Sequence, residues 1–139
     1  MNDSLLSNWQ RSRRLLVTAG LLIALATMLG AFGTHGLKPR LSPEKFDSFE
    51  IAVTYHFFHA LGLLGIALFQ HNHASLWLVW STRLLLTGIG LFSGSIYLLT
   101  FGAPSFLGMV APLGGLSLMA GWVCFAIAAY QSGKEKLNE

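Results

Sequence analysis

Three histidines and a few hydroxyls carry whatever chemistry this sequence can perform. His56 and His59 are three residues apart, which on a helix puts them on neighbouring faces of one turn, close enough to share a ligand or a proton path. His35 precedes them in Gly33-Thr34-His35-Gly36, and Ser93, Ser95 and Tyr97 follow as a short run of hydroxyls. Imidazole nitrogens bind zinc, ligate haem iron and exchange protons near neutral pH, so three readings fit the set. In the first, the histidines are neutral and hydrogen-bonded, and they join helices through the hydroxyls or backbone carbonyls. In the second, two or three nitrogens hold a metal, with His56 and His59 as the candidate ligands, or one is a haem ligand. In the third, the cluster binds another small ligand or passes a proton. The ligand density is below that of a dedicated metal site, so neither a metal nor a cofactor is assigned.

Other chemistries find less support. Ser93-Gly94-Ser95 contains a serine next to glycine, but no Gly-x-Ser-x-Gly elbow surrounds it and no carboxylate is available to orient a histidine. His71 and His73 fall in a short polar turn and read as solvated residues. No glycine loop for phosphate is present. Between Glu50 and Glu135 there is no Asp or Glu, which argues against an ion-coupled transporter. The chain reads as a non-enzyme.

The elements that must position these residues follow from the charges. Only 11% of the 139 residues are charged, and uncharged runs of 23, 32 and 50 residues separate Arg14 from Lys38, Glu50 from Arg83, and Arg83 from Lys134. With 53% hydrophobic residues and a mean hydropathy of +0.57, such runs leave no wet face for a soluble domain. The reading is an all-α integral membrane protein. The net charge of +3 does not indicate nucleic acid, because the basic residues sit at the ends of apolar runs, where they set orientation. The single Cys124 lies inside the last run, which excludes an internal disulfide and fits a packing role.

A bilayer core about 30 Å thick takes roughly 20 apolar residues per helix. The runs then divide into four spans, at about 15–33, 51–70, 78–101 and 107–130, preceded by a basic segment 1–14 and followed by a tail 131–139. The first resembles a secretory signal with Ala24-Leu25-Ala26 as a cleavage site, but its apolar stretch runs on to Phe32 and is read as a retained helix. The second helix should begin early, with Ser42 as N-cap, Pro43 in the first turn and Glu44 beside the helix N-terminus. Phe46 and Phe49 would form the apolar side of this lead-in. Gly102-Ala103-Pro104-Ser105 is the turn that splits the longest run. Arg83, shallow in the third span, can snorkel to the headgroups.

Arg11, Arg13, Arg14, Arg83, Lys134 and Lys136 share one side, against Lys38, Arg40 and Lys45 on the other. The positive-inside rule therefore places both termini in the cytoplasm. At about 1.5 Å per residue, His56 and His59 lie roughly 8 and 12 Å below the outer boundary. His35, Ser93, Ser95 and Tyr97 come to the same outer half. Small residues that let helices approach closely occur four apart at Gly20 and Ala24, Ala26 and Gly30, Gly90 and Gly94, and Ala111 and Gly115. Gly30, Gly33, Gly90, Gly94, Gly114 and Gly115 are the expected packing positions, with a kink or break at Pro112. The expected partners are the lipid bilayer and either a second copy or another membrane protein, and not nucleic acid.

Four ordered segments resemble a known family. They are Gly30-Ala31-Phe32-Gly33-Thr34-His35-Gly36-Leu37, Tyr55-His56-Phe57-Phe58-His59-Ala60-Leu61, Leu91-Phe92-Ser93-Gly94-Ser95-Ile96-Tyr97 and Ala111-Pro112-Leu113-Gly114-Gly115. Together they resemble the YgdD-like membrane family, domain of unknown function 423, and the likeness runs from about Ala19 to Ala128. Thr34 departs from it, standing where the family pattern leads us to expect alanine. The resemblance implies a small four-helix bacterial inner-membrane protein with relatives in eukaryotes. It implies no activity.

Overall fold

The computed structural model describes residues 3–137, with side chains over residues 8–133. The side chains of Lys134 and Lys136, counted above for orientation, lie outside the described residues, as do the ends of segments 1–14 and 131–139. Every regular element described is helical. That is the outcome lipid imposes, since a helix satisfies its own backbone polar groups where water cannot.

α1 (Asp3–Phe32) runs into a π-helical turn, Gly33–Leu37, closed by Lys38 N–H donating to Gly33 O at 2.9 Å. α2 (Pro43–Phe69) starts after an extended Ser42 with proline in its first turn, although the Ser42 side chain makes no capping bond. Phe46 and Phe49 of its lead-in are buried, whereas Lys45, Asp47 and Glu50 are exposed. α3 (Leu76–Ile89) is capped by Ser75, whose Oγ accepts the Trp77 N–H at 3.2 Å. A second π-helical turn, Gly90–Gly94, separates α3 from α4 (Ser95–Thr100). The chain then reverses through Gly102, at φ +91°, a left-handed value that suits glycine. A 3₁₀ segment, Ser105–Met109, leads into α5 (Val110–Leu137). Four helical stretches, Asn8–Leu37, Pro43–Phe69, Leu76–Thr100 and Ser105–Gly133, are long and apolar enough to cross a bilayer.

Two details differ from expectation. The irregularity assigned to Pro112 lies earlier, at Ser105–Met109, and α5 runs unbroken past the proline. Pro112 is the third residue of α5, where its missing N–H would have had no intrahelical partner. Ser12, taken as part of a basic segment outside the membrane, is buried within α1 and its Oγ donates to Ala67 O of α2 at 2.6 Å.

The bundle is built from two helix pairs, α1 on α2 and α3 on α5, with α2 also packing against α3, the second π turn and α4. α3 and α5 interlock through glycine. A Cβ on Gly121 would meet Leu85 at 2.9 Å, and one on Gly88 would meet Leu118 at 2.5 Å. Further along, a Cβ on Gly114 would collide with the backbone N of Phe92. Partner positions descend on α5 as they ascend on α3, the signature of antiparallel helices meeting every third or fourth residue. Gly30 packs on Val53, and Gly115 reaches ordinary contact with Phe92. Gly90 and Gly94, by contrast, have nothing within 4 Å of an added Cβ, so they bring no neighbouring helix of this chain close. Their four-residue spacing falls across a π turn, whose i to i+5 pattern takes residues four apart out of line.

Candidate functional site

The four sequence motifs meet around one stretch of α2, from Phe49 to His59. Phe49 is fully buried (0% exposed), because the first π turn brings Gly33 close to its ring. A Cβ on Gly33 would lie 2.7 Å from Phe49 Cε1, so only glycine admits the ring at this distance. The same ring sits 5.4 Å from that of Tyr97 on α4. One turn along α2, Ala52 offers its carbonyl to Ser93 of the second π turn, whose Oγ donates at 2.8 Å. A further turn on, His56 Nδ1 and Tyr97 Oη are 3.2 Å apart, a hydrogen bond whose direction is set by the imidazole tautomer. Tyr55 packs its ring 4.6 Å from Phe92, and Phe92 is the residue whose backbone lies against Gly114 of α5. The result is a joint in which both π turns, α4 and α5 are registered, directly or through Phe92, against α2.

The expected cluster is thus partly assembled. His56, Ser93 and Tyr97 come together, and His56 is buried (2% exposed) with its Nε2 bonded to nothing. Ser95 is buried but turns back on its own chain, donating to Phe92 O at 3.0 Å. His59 faces elsewhere: its Nδ1–H donates to Tyr55 O at 2.6 Å and its ring stands 6.2 Å from that of Trp122 on α5. The Tyr55 carbonyl can only accept, so Nδ1 carries the proton of this pair. His35 is exposed on the first π turn. Among the described residues, no group of three or more His, Cys, Asp and Glu is placed to hold a metal ion. His71 is exposed, whereas His73 stacks on Phe69 at 4.4 Å and donates from Nδ1 to Phe69 O at 3.0 Å.

Several contributors were not singled out from sequence. The sequence places Phe49 only on the apolar side of a lead-in, and Tyr55 only within a motif. Gly62, whose Cβ would meet Trp122 at 2.6 Å, and Gly88 and Gly121 lack the four-residue spacing used to find packing glycines. Gly114 and Gly121 are seven apart, two helical turns, and that spacing is the signal that would have located the stripe of α5 facing α3.

A family model described as a protein of unknown function (DUF423) matches residues 29–115, the stretch that contains both π turns, α2 and Gly114. The chain belongs to this family. Its relatives include a UPF0382 membrane protein of Staphylococcus haemolyticus, 38% identical over 115 residues, covering 80% of this chain and 93% of that protein. The UPF0382 inner membrane protein YgdD of Escherichia coli is 34% identical over 118 residues, 85% of this chain and 90% of the relative. The UPF0382 membrane protein YwdK of Bacillus subtilis is 38% identical over 106 residues, 76% and 86% of the two chains. No solved structure matches this DUF423 chain. With four helices able to span a bilayer and relatives named for the inner membrane, it is a multi-pass inner-membrane protein.

Proposed function

We propose that the chain is a non-enzymatic membrane protein in which the His/Ser/Tyr cluster is a structural joint, and that it works through contacts with the bilayer or with a membrane partner. The observation carrying this reading is that the three histidines have three different surroundings, one exposed, one bonded to Tyr97 and one bonded within its own helix. Interhelical bonds elsewhere follow the same plan, as in Ser117 Oγ donating to Leu84 O at 2.7 Å. Replacing His56 and His59 together by phenylalanine should leave the folded, helical protein and its oligomeric state intact. The thermal midpoint in mild detergent should move little, since a hydrogen bond between membrane helices averages about 0.6 kcal/mol. Tyr97→Phe should cost more than His56→Phe, up to about 1.7 kcal/mol, because it strands a buried imidazole with neither nitrogen bonded. A doubly replaced protein that is fully stable but has lost a co-purifying small molecule would overturn the reading.

A second reading is favoured by His56 Nε2, a buried nitrogen without a partner. Such a group suits a small ligand or a proton path reached from the outer end. Metal analysis, a visible spectrum and mass spectrometry of gently purified protein decide it, and stoichiometric metal, a haem band or a bound quinone would each support it.

We further propose that both termini are cytoplasmic. Arg11, Arg13, Arg14 and Arg83 lie toward one end of the bundle, whereas Lys38, Arg40 and Lys45 share the other with Glu44, Asp47 and Glu50. A fluorescent protein fused to the C-terminus should mature and fluoresce, and alkaline phosphatase fused there should be inactive. The reverse pattern would invert the orientation.

A further inference from the structure

At the end away from the joint, residues of α1 and α3, with Gln70 after α2, line an open cavity of about 500 Å³. Its walls are apolar where Leu15, Val79 and Leu86 face it, and three arginines, Arg11, Arg14 and Arg83, border it. None of these arginines has an acidic partner among the described residues, and the chain has no carboxylate between Glu50 and Glu135. Arg83 is exposed, with its guanidinium 5.8 Å from the centre of the Trp80 ring, an indole placed as at a membrane–water interface. Thr18, lining the same space, already donates to Arg14 O at 3.0 Å, whereas the hydroxyl of Thr82 on the facing helix is bonded to nothing.

We propose that this cavity binds an anionic phospholipid of the leaflet beside the termini, with its phosphate among Arg11, Arg14 and Arg83 and an acyl chain along Leu15, Val79 and Leu86. Charge complementarity selects the headgroup, because three guanidinium groups with no acidic partner among the described residues suit a phosphate diester that carries net negative charge. The apolar walls select a lipid over a soluble phosphate, since a free anion would fill only the rim and leave the rest of the space without a matching surface. The position is consistent with either reading of the joint, which lies at the opposite end, so failure here and failure there are separate results.

Native mass spectrometry of the full chain released from detergent, with phosphatidylglycerol and phosphatidylcholine of identical acyl chains in competition, tests the proposal. One phosphatidylglycerol per chain should be retained over phosphatidylcholine. Arg83→Gln and the pair Arg11→Gln with Arg14→Gln should each weaken retention about five-fold per charge removed, the worth of one basic residue near an anionic surface. Arg83→Lys should recover part of the loss, and Thr82→Val should weaken retention by a smaller factor. Arg13→Gln, a charge change in the same helix but outside the cavity wall, should change nothing, and far-ultraviolet circular dichroism should show every variant folded. Equal retention of the two lipids, or equal loss in Arg13→Gln and Arg83→Gln, would overturn the proposal. So would full competition by glycerol 3-phosphate alone, which would make the site one for a soluble phosphate.

Discussion

Gly114→Ala should destabilise the purified protein by about 3 kcal/mol, the upper part of the range for overpacked interiors. The obstacle is backbone. The added methyl would run into the Phe92 nitrogen, with Leu91 C and Phe92 Cα each 2.8 Å away, and a peptide unit held between α3 and α4 cannot swing aside as a side-chain tip can. Gly94→Ala is the matched control, because it adds the same methyl to the π turn that carries Phe92, at a position with nothing within 4 Å. That variant should stay within about 0.5 kcal/mol of the parent. Equilibrium unfolding by titrating denaturing detergent into mild detergent measures both. Equal stabilities for the two variants would show that α5 does not rest on the α3–α4 backbone.

Phe49→Ala should cost about 3–5 kcal/mol, the usual loss when a buried phenyl ring is removed and its surroundings cannot close. Closure is hindered on two sides here. Gly33 has no side chain to move inward, and Tyr97, whose ring lies 5.4 Å away, is held by its bond to His56. Phe58→Ala gives the comparison: that ring is 63% exposed on the same helix, so its removal exchanges protein surface for lipid contact and should cost well under 1 kcal/mol. Similar losses for the two variants would mean that Phe49 is not enclosed by the joint.

The large features were legible because each follows from a strong constraint. Long uncharged runs admit only membrane helices, Ser42-Pro43-Glu44 marks where α2 begins, and Gly102-Ala103-Pro104 is the one place the longest run could turn. The site was legible as a set of residues rather than as an arrangement. His56 and His59 differ by three positions and hence by about 60° around the helix. Whether that brings both to one ligand or sends them to α4 and α5 depends on neighbours the sequence does not place. The π turns were hidden for a related reason. Their backbone angles stay in the ordinary helical region, as at Gly90 (φ −61°, ψ −48°) and Gly94 (φ −61°, ψ −42°), so no residue type marks them. Gly90 and Gly94 therefore looked like a packing pair. Ser12 was overlooked because arginines surround it, yet a helix entering a membrane can keep one narrow face dry while the others remain wet.

The second π turn also governs how this chain can change in length. Upstream of it, Leu85 and Gly88 address α5; downstream, Tyr97 addresses α2, so one membrane crossing changes neighbour halfway along. A π turn holds one residue more than an α turn, so deleting a single residue between Gly90 and Gly94 would close it into ordinary helix and leave Tyr97 facing α2. The same deletion within α3 would turn everything after it by about 100°, and Tyr97 would leave His56. Length is consequently negotiable at the π turn and in the polar turn at 70–75, and fixed in the helical stretches between them.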